Sequence, residues 1–418
     1  MRGKCAMETS KAVTRLSHFH PYPAMVADEL AVALAKRFVR KNIRVLDPFC
    51  GAGRLVMAAA AEGASCTAFD RNPLACLITT AKSVRVCPQR IASLISDISH
   101  ARKCSPRARL TFREDRKVPW FSRTALKELA AIVGWINGED LPLTEKWVVA
   151  AALSATARKS SFCRKDGWKL HRMTRKERDA LQVSPWAIFE RKLNDYAKEA
   201  ERPSTQRSIR VQLRDVRELA KAGALKPYDL VMTSPPYGDS RTTIQYGAAS
   251  AFCLDVVSHI EGFEALFERG RIIDDACLGG APSSKRSSCV LERETVRRYW
   301  AGRQDSDGYR RVFRFLYDMK IACQGIANVV ALDGTIVVIS GRRSVGGFRV
   351  KLDTFLVDQF RQFGFLLRHS EIRSLKDKRM PRKINRFGAA TSVCQRAAGS
   401  TLTMLDEYVL TLKRSLAG

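Results

Sequence analysis

The chain has 418 residues, of which 45% are hydrophobic and 27% charged, a composition typical of folded globular proteins rather than of disordered or fibrous chains. Its 72 Lys and Arg against 42 Asp and Glu give a formal net charge of +30. This excess of positive charge favours a polyanionic partner, with nucleic acid as the first hypothesis and a generally basic proteome as the plain alternative.

The twelve cysteines are spread from Cys5 to Cys394 without a C-x-x-C pair, which argues against a zinc site or a compact disulfide framework. The N-terminal residues lack an apolar run of signal-peptide length, and no later run reaches the roughly 18 apolar residues of a membrane span. The six histidines show no metal-ligand spacing. We therefore expect reduced thiols, a cytoplasmic location, no membrane association and no metal.

Strands and helices alternate in the N-terminal part of the chain. Residues 43–47 (IRVLD) predict a short buried strand, and a glycine-containing turn leads from it into an alanine-rich helix. The unit then repeats, because residues 65–70 (SCTAFD) predict a second strand and residues 73–82 a second helix, whose first turn tolerates proline. This alternation predicts an α/β fold with a parallel sheet.

The alternation stops after about residue 85. Helical patterns at 122–135 and 143–157 follow each other there without an intervening strand pattern. Strand patterns return at residues 228–233, 335–340, 365–373 and 407–412. We therefore predict a core made of residues 1–85 and 205–418, interrupted by a helical insertion at 86–204.

The segment VLDPFCGAGR (residues 45–54) places Asp47 at the end of the first strand and two glycines in the turn after it, Gly51 and Gly53. Open α/β sheets bind nucleotides at this position, where glycines let a ligand approach the backbone; a purely structural turn is the alternative. Asp70 ends the second strand, where a carboxylate can accept hydrogen bonds from a ribose diol. Because the G-x-G-x-x-G spacing is missing, the pattern favours a nucleoside ligand without phosphates.

The segment DLVMTSPPYGDS (residues 229–240) follows an apolar strand with two consecutive prolines, which cannot continue a ladder and fix a rigid turn. Such a turn leaves the carbonyl of Pro235 without local amide partners. That carbonyl and the hydroxyl of Ser234 can accept hydrogen bonds from a planar amino group, while Tyr237 offers a ring for stacking.

Together, DPFCGAG (47–53), DRNPLA (70–75) and TSPPY (233–237) resemble the S-adenosylmethionine-dependent amino-methyltransferases of DNA, and S-P-P-Y is similar to the catalytic motif of their cytosine-N4 group. HPYPAM (20–25), YGDSRTTIQYG (237–247), KRMPRKIN (378–385) and TMLDEY (403–408) resemble further segments of such enzymes. The resemblance implies a Rossmann-like class I methyltransferase fold with a mostly parallel sheet, S-adenosyl-L-methionine as cofactor, double-stranded DNA as partner and a target base flipped out of the helix. A cognate restriction endonuclease is a further possible partner, and the recognition sequence and oligomeric state stay open.

The resemblance also implies roles residue by residue. The predicted catalytic residues are Ser234, Pro235, Pro236 and Tyr237. The predicted cofactor-binding residues are His20, Tyr22, Asp47, Pro48, Phe49, Gly51, Gly53, Asp70, Asn72 and Asp215, the last beside the adenine. The long separation between Asp70 and Asp215 in the chain leaves the target-recognition region unplaced.

Several alternatives stay open from the sequence. Adenine-N6 methylation and RNA amino-methylation use the same kind of planar exocyclic amine, and a nucleic-acid-binding protein without catalysis belongs to a different class. Methylation of a cytosine carbon is not favoured. Enzymes that carry it out use a cysteine nucleophile, which follows a proline after a later strand, and at that position this chain has Ser234-Pro235-Pro236. Cys50 lies in the cofactor loop and does not occupy the nucleophile position.

Two stretches are strongly basic. Residues 156–178 contain nine Lys or Arg and two acids, and residues 368–386 contain eight and two. Each is either a solvated face or a surface for DNA phosphates, and Phe162 and Trp168 in the first are candidates for stacking on bases. The helical insertion is thus a candidate DNA-contacting region.

Overall fold

The computed structural model describes the residues in the ranges 19–104, 108–112, 119–165, 167–200, 208–221, 227–238, 246–280, 293–304, 306–374, 383–384, 401–402 and 406–415. Most of the second basic stretch and residues 239–245, which follow the predicted catalytic motif, lie outside these ranges.

The first elements alternate between helix and strand. They are α1 (Asp28–Phe38), β1 (Arg44–Asp47), α2 (Arg54–Ala61), β2 (Ser65–Asp70) and α3 (Pro73–Ser83). The start of α3 is defined by Asn72, whose side chain accepts a hydrogen bond from the amide of Leu74, and by the proline that follows Asn72. The predicted strands at 43–47 and 65–70 and the helix at 73–82 are confirmed within one residue.

Five helices follow. They are α4 (Pro88–Cys104), α5 (Arg123–Gly138), α6 (Leu143–Ser160), α7 (Arg175–Asp179) and α8 (Pro185–Ala200). The hydroxyl of Ser122 caps α5, and Thr174 and Glu177 form a capping box at α7. Because α6 is buried on most of its surface, it forms the centre of this helical region. The described helices include none that is both long and apolar enough to cross a bilayer.

The remaining elements include the other five strands of the main sheet. They are β3 (Ile209–Leu213), a 3-10 helix (Val216–Lys221), β4 (Tyr228–Thr233), α9 (Tyr246–Val257), a second 3-10 helix (Glu264–Leu266), α10 (Gly270–Ala276), α11 (Arg293–Tyr299), α12 (Asp307–Val329), β5 (Val330–Gly341), β6 (Ser344–Val345), β7 (Phe348–Arg349), α13 (Leu352–Gln362), β8 (Phe365–Ser374), β9 (Lys383–Ile384), β10 (Thr401–Leu402) and β11 (Asp406–Arg414). All four later predicted strands are present, as β4, β5, β8 and β11.

Seven strands form one sheet in the order β3-β2-β1-β4-β5-β11-β8. β2 and β3 pair in parallel, as do β1 with β4 and β4 with β5. β11 runs antiparallel to both β5 and β8. This mostly parallel sheet with crossover helices confirms the predicted Rossmann-like α/β fold. In such sheets ligands bind beyond the carboxyl ends of the strands.

The chain forms two compact units. The first unit comprises Met1–Asn42, Cys50–Leu213 and Ile244–Asp274, and the second Ile43–Phe49, Arg214–Thr243 and Asp275–Gly418. In the first unit one apolar cluster joins α3 to helices α4, α5, α6, α8 and α9. In the second unit α13 and β8 bury a cluster of large aromatic side chains that includes Phe355, Phe360 and Phe365.

Candidate active site

The loop after β1 is tied to the end of β2 by the carboxylate of Asp70. One carboxylate oxygen accepts from the amide of Gly51 at 2.8 Å, and the other accepts from the amide of Asn72 at 2.8 Å. Burial raises the pKa of Asp70, and the amide hydrogen bonds oppose that rise. Asp70 therefore fixes the loop, and its role in binding a ribose stays a prediction.

The two glycines of this loop have left-handed backbones, with φ of 50° at Gly51 and 80° at Gly53. A side-chain carbon added at Gly53 would lie 2.7 Å from Cγ2 of Thr79. The hydroxyl of Thr79 donates to the carbonyl of Gly51 at 2.9 Å, so α3 packs directly under the turn. The sequence pattern thus places glycine where the backbone requires it.

A buried lysine supports the same turn. Lys82 donates from Nζ to the carbonyl of Ala52 at 2.9 Å, and its side chain is only 5% exposed. Burial lowers the pKa of Lys82 to about 7. Sequence reasoning missed both Thr79 and Lys82; the available signal was a lysine within the otherwise apolar helical run PLACLITTAK.

Aromatic rings line the loop on one side. The ring of Tyr22 lies beside Gly51, stacks on Tyr246 at 5.8 Å and meets Trp168 at 5.8 Å. The guanidinium of Arg158 covers the indole of Trp168 at 4.5 Å. The structure therefore places Tyr22 next to the predicted cofactor loop, and two further rings, Tyr246 and Trp168, contact Tyr22.

Asn72 and His20 hold this arrangement from within the protein. Asn72 is 2% exposed, and its Nδ2 donates to the hydroxyls of Tyr22 and Ser250 at 3.1 and 2.8 Å. His20 is fully buried, with Nδ1 bonded to the carbonyl of Pro21 and Nε2 to the hydroxyl of Ser154. Burial lowers the pKa of His20 to about 3, so the ring is neutral. Asn72 therefore positions Tyr22 directly, and His20 anchors the chain segment just before it.

The second unit carries the end of β4. The hydroxyl of Thr233 donates to Oδ1 of Asp47 at 2.6 Å, and the amide of Phe49 donates to the same atom at 3.1 Å. Asp47 is 1% exposed, so its carboxylate joins the ends of β1 and β4. Pro48 is buried and Phe49 half-buried.

Two side chains of the predicted catalytic motif form a hydrogen-bonded chain with a carboxylate from β11. Oγ of Ser234 lies 3.2 Å from the hydroxyl of Tyr237, which donates to Oε1 of Glu407 at 3.4 Å. Because Tyr237 has one hydroxyl proton and gives it to the carboxylate, Ser234 is the donor in the first bond. This orientation leaves the lone pairs of Ser234 as acceptors. Pro235 is buried, and Pro236, like Ser234 and Tyr237, is half-buried.

Asp215 lies two residues after β3, and its carboxylate is held by Arg217. Nε of Arg217 lies 2.9 and 3.1 Å from the two carboxylate oxygens of Asp215. The same guanidinium reaches Asp318 at 3.1 Å and the carbonyl of Ala276 at 2.6 Å. The structure thus presents Asp215 as part of an ion-pair network, and its place beside an adenine stays a prediction.

The first basic stretch uses several of its charges inside the first unit. Arg158 is 4% exposed and donates to the carbonyls of Gly167 and Trp168, and the ammonium of Lys165 donates to the carbonyls of Arg158 and Ser161. Arg172 and Arg178 lie over the ring of Phe162, at 6.0 and 5.7 Å. Arg158 and Lys165 are therefore structural residues. The sequence showed their charge but not these hydrogen bonds, nor the burial of Arg158.

Within the described ranges, His, Cys, Asp and Glu side chains form no group of three that could hold a metal ion.

Comparison with known proteins gives one curated relative. No known protein-family profile matches the chain. Over 441 aligned positions the chain is 23% identical to the Type II methyltransferase M.MvaI of Kocuria varians, and the alignment covers 95% of this chain and 91% of that protein.

The solved structures that match are more distant. TrmN from Thermus thermophilus is 11% identical with a TM-score of 0.33, covering 97% of this chain and 53% of that chain, about half of its length. The rRNA methyltransferase aviRa from Streptomyces viridochromogenes is 11% identical with a TM-score of 0.30, covering 95% and 92%. The similarity to the curated Type II methyltransferase extends over nearly the full length of both proteins.

Proposed function

We propose that this protein is a DNA methyltransferase that transfers a methyl group from S-adenosylmethionine to the N4 amine of cytosine. The observation that carries the proposal is the hydrogen-bonded chain from Ser234 through Tyr237 to Glu407 at the end of a parallel strand. The similarity of the whole chain to a Type II methyltransferase supports the reaction class.

The residues of the first unit fit the proposed cofactor. Asp70 is a half-buried carboxylate at a strand end, suited to accept hydrogen bonds from the ribose hydroxyls. The backbone of Gly51 offers a surface that a side chain would otherwise cover, and the ring of Tyr22 lies beside it. When bound, S-adenosylmethionine supplies an electrophilic methyl group.

The residues of the second unit fit an exocyclic amine. The lone pair of that amine is delocalised into the base, so the amine is a poor nucleophile until it becomes tetrahedral. Ser234 and the carbonyl of Pro235 would accept its two hydrogens and favour that geometry, and Tyr237 would stack on the extruded base. Ser234 is too weak a base to take a proton early, so we expect deprotonation after transfer, to water.

The test is product analysis. Purified protein is incubated with duplex DNA and isotopically labelled S-adenosylmethionine, and the nucleosides are separated by mass spectrometry. We expect labelled N4-methylcytosine and no 5-methylcytosine, with the Ser234→Ala and Tyr237→Ala variants as controls for contaminating activity. Labelled N6-methyladenine would overturn the choice of base, and label found only in an RNA substrate would overturn DNA as the substrate. Cofactor binding without transfer to either would overturn catalysis.

A further inference from the structure

The second unit contains a cavity of ≈ 710 Å³ that the proposed reaction does not use. It is formed by the end of α11 and the loop that leads to α12, with Arg297, Trp300, Arg303, Gln304 and Ser306 among its lining residues. Four of these five side chains are polar or charged.

The wall of this cavity is fixed by packing. Trp300 is 3% exposed, and its indole N–H donates to the carbonyl of Val345 at 3.0 Å. A side-chain carbon at Gly302 would lie 2.1 Å from the indole ring, so the backbone of the loop rests directly on Trp300. The hydroxyl of Ser306 donates to the carbonyl of Arg303 at 2.6 Å. These contacts hold the described residues of the loop in place.

The charges around the cavity leave it positive. Arg297 and Arg303 are exposed, and among the residues that the structure describes neither has an acidic partner. Two acids near the cavity are paired with other arginines: Asp358 lies 3.4 Å from Arg298 and 3.6 Å from Arg361, and Asp307 is bonded to Arg310. Within the described ranges, the guanidinium groups of Arg297 and Arg303 are thus available to an anion.

The backbone adds to this charge. The cavity includes Ser306, the N-cap of the 23-residue helix α12, and the hydroxyl of Ser306 accepts from the amide of Tyr309 at 3.1 Å. The N-terminus of a helix carries partial positive charge and attracts anions. The side-chain amide of Gln304 offers a further donor.

A hairpin borders the same cavity. β6 and β7 pair in antiparallel fashion through Ser344–Arg349 and Val345–Phe348, with Gly346 and Gly347 at the tip. The ring of Phe348 lies 6.2 Å from that of Trp300 and is 44% exposed. Arg349 is exposed and, within the part of the chain described, has no acidic partner. The hairpin therefore extends the basic surface beyond the cavity.

We propose that the cavity and its hairpin, defined by Arg297, Arg303, Gln304 and Arg349, bind phosphate groups of the DNA backbone. This inference rests on the proposed function for the identity of the polyanion. Phosphate is favoured over a base inside the cavity because its lining combines two arginines with Gln304, and its aromatic residue, Trp300, is buried with its N–H already bonded. The exposed ring of Phe348 lies on the hairpin and not in the cavity lining. Exposed arginines on a shaped surface are suited to phosphate oxygens.

The test measures the salt dependence of DNA binding. Full-length wild type, Arg297→Ala, Arg303→Ala and the double variant are titrated with several unrelated duplexes across a series of NaCl concentrations. Each lost phosphate contact should lower the slope of log K against log [salt] by about 0.9 and weaken binding to all duplexes alike. Arg40→Ala removes another exposed arginine, from the segment after α1, and is the matched control with an unchanged slope.

The outcomes separate this inference from the proposed function. S-adenosylmethionine affinity and thermal stability should be unchanged in the Arg297 and Arg303 variants, because these side chains lie at the surface of the second unit. Unchanged slopes in the double variant, with methylation of DNA intact, would overturn the phosphate site alone. A loss of affinity for only one duplex sequence, with an unchanged salt slope, would indicate base readout instead of phosphate binding and would also overturn this inference. A wild type that binds cofactor but no duplex would overturn both proposals.

Discussion

The glycine loop of the first unit and the S-P-P-Y turn of the second differ in how much of their polar chemistry the protein itself uses. In the loop, Asp70, Thr79 and Lys82 each bond to backbone groups of residues 51–52 or 72. In the turn, two prolines contribute no amide hydrogen, and Ser234 keeps its acceptors free. The comparison indicates that the loop is a preorganised scaffold, whereas the turn keeps acceptors that the protein itself does not use, as the proposed binding of an amine requires.

The largest expected effect is on the scaffold. Asp70→Ala removes the carboxylate that we propose binds the ribose and that accepts from the amides of Gly51 and Asn72. Hydrogen bonds to a charged group contribute about 1.5 to 3 kcal/mol each, so we expect S-adenosylmethionine affinity to fall roughly 100-fold or more. Calorimetry measures the affinity and circular dichroism checks the fold. Asp179→Ala removes a carboxylate that is 71% exposed on α7 and serves as the control. Unchanged affinity in a folded Asp70→Ala protein would remove Asp70 from the cofactor site.

The next effect tests the turn. Tyr237→Ala should lose stacking of roughly 1 to 3 kcal/mol, which lowers kcat/KM by about one to two orders of magnitude while cofactor affinity persists. Tyr237→Phe keeps the ring and loses the hydroxyl bonded to Glu407, so it should retain most of the DNA affinity. If Tyr237→Phe lowered kcat/KM as much as Tyr237→Ala, the hydroxyl rather than stacking would account for the role of Tyr237.

A third effect uses pH to test how the scaffold is held. The pKa of His20 is about 3 in the folded protein against 6.5 ordinarily, so below pH 6.5 the unfolded chain takes up a proton that the folded protein does not. Stability should therefore fall as pH decreases, by about 1.4 kcal/mol per unit, or roughly 2 kcal/mol by pH 5. Urea denaturation at pH 7.5 and pH 5 measures this loss.

His20→Gln should reduce that pH dependence, because glutamine does not titrate. His100→Gln alters an exposed histidine and should leave the dependence as in wild type. The same pH dependence in wild type and His20→Gln would show that other groups cause it.

The sequence predicted the parts of this molecule that depend on local pattern. The strands that end at Asp47, Asp70 and Thr233 were predicted from short apolar runs, and the turn glycines from their position after a strand. The fold class followed from the alternation of strand and helix.

Contacts made by distant parts of the chain were not predictable in this way. Glu407 lies 170 residues from Tyr237 along the chain, and Ser154 lies 134 residues from His20. Burial of charged residues was also not predictable from the sequence. Arginine and lysine are usually exposed, and Arg158 and Lys82 are buried because of how α6 and α3 pack.

The smallest expected effect concerns the acceptor role of Ser234. Glu407→Gln keeps an oxygen near the hydroxyl of Tyr237 but removes the charge that fixes the direction of its proton. A hydrogen bond to a charged acceptor is stronger than one to a neutral acceptor by about 1 kcal/mol. We therefore expect kcat to fall roughly fivefold with little change in KM for DNA. Glu371→Gln, on the neighbouring strand β8, provides the matched control at an exposed carboxylate. A rise in KM with unchanged kcat would instead assign Glu407 to DNA binding, because a group that only orients Ser234 acts on the transition state.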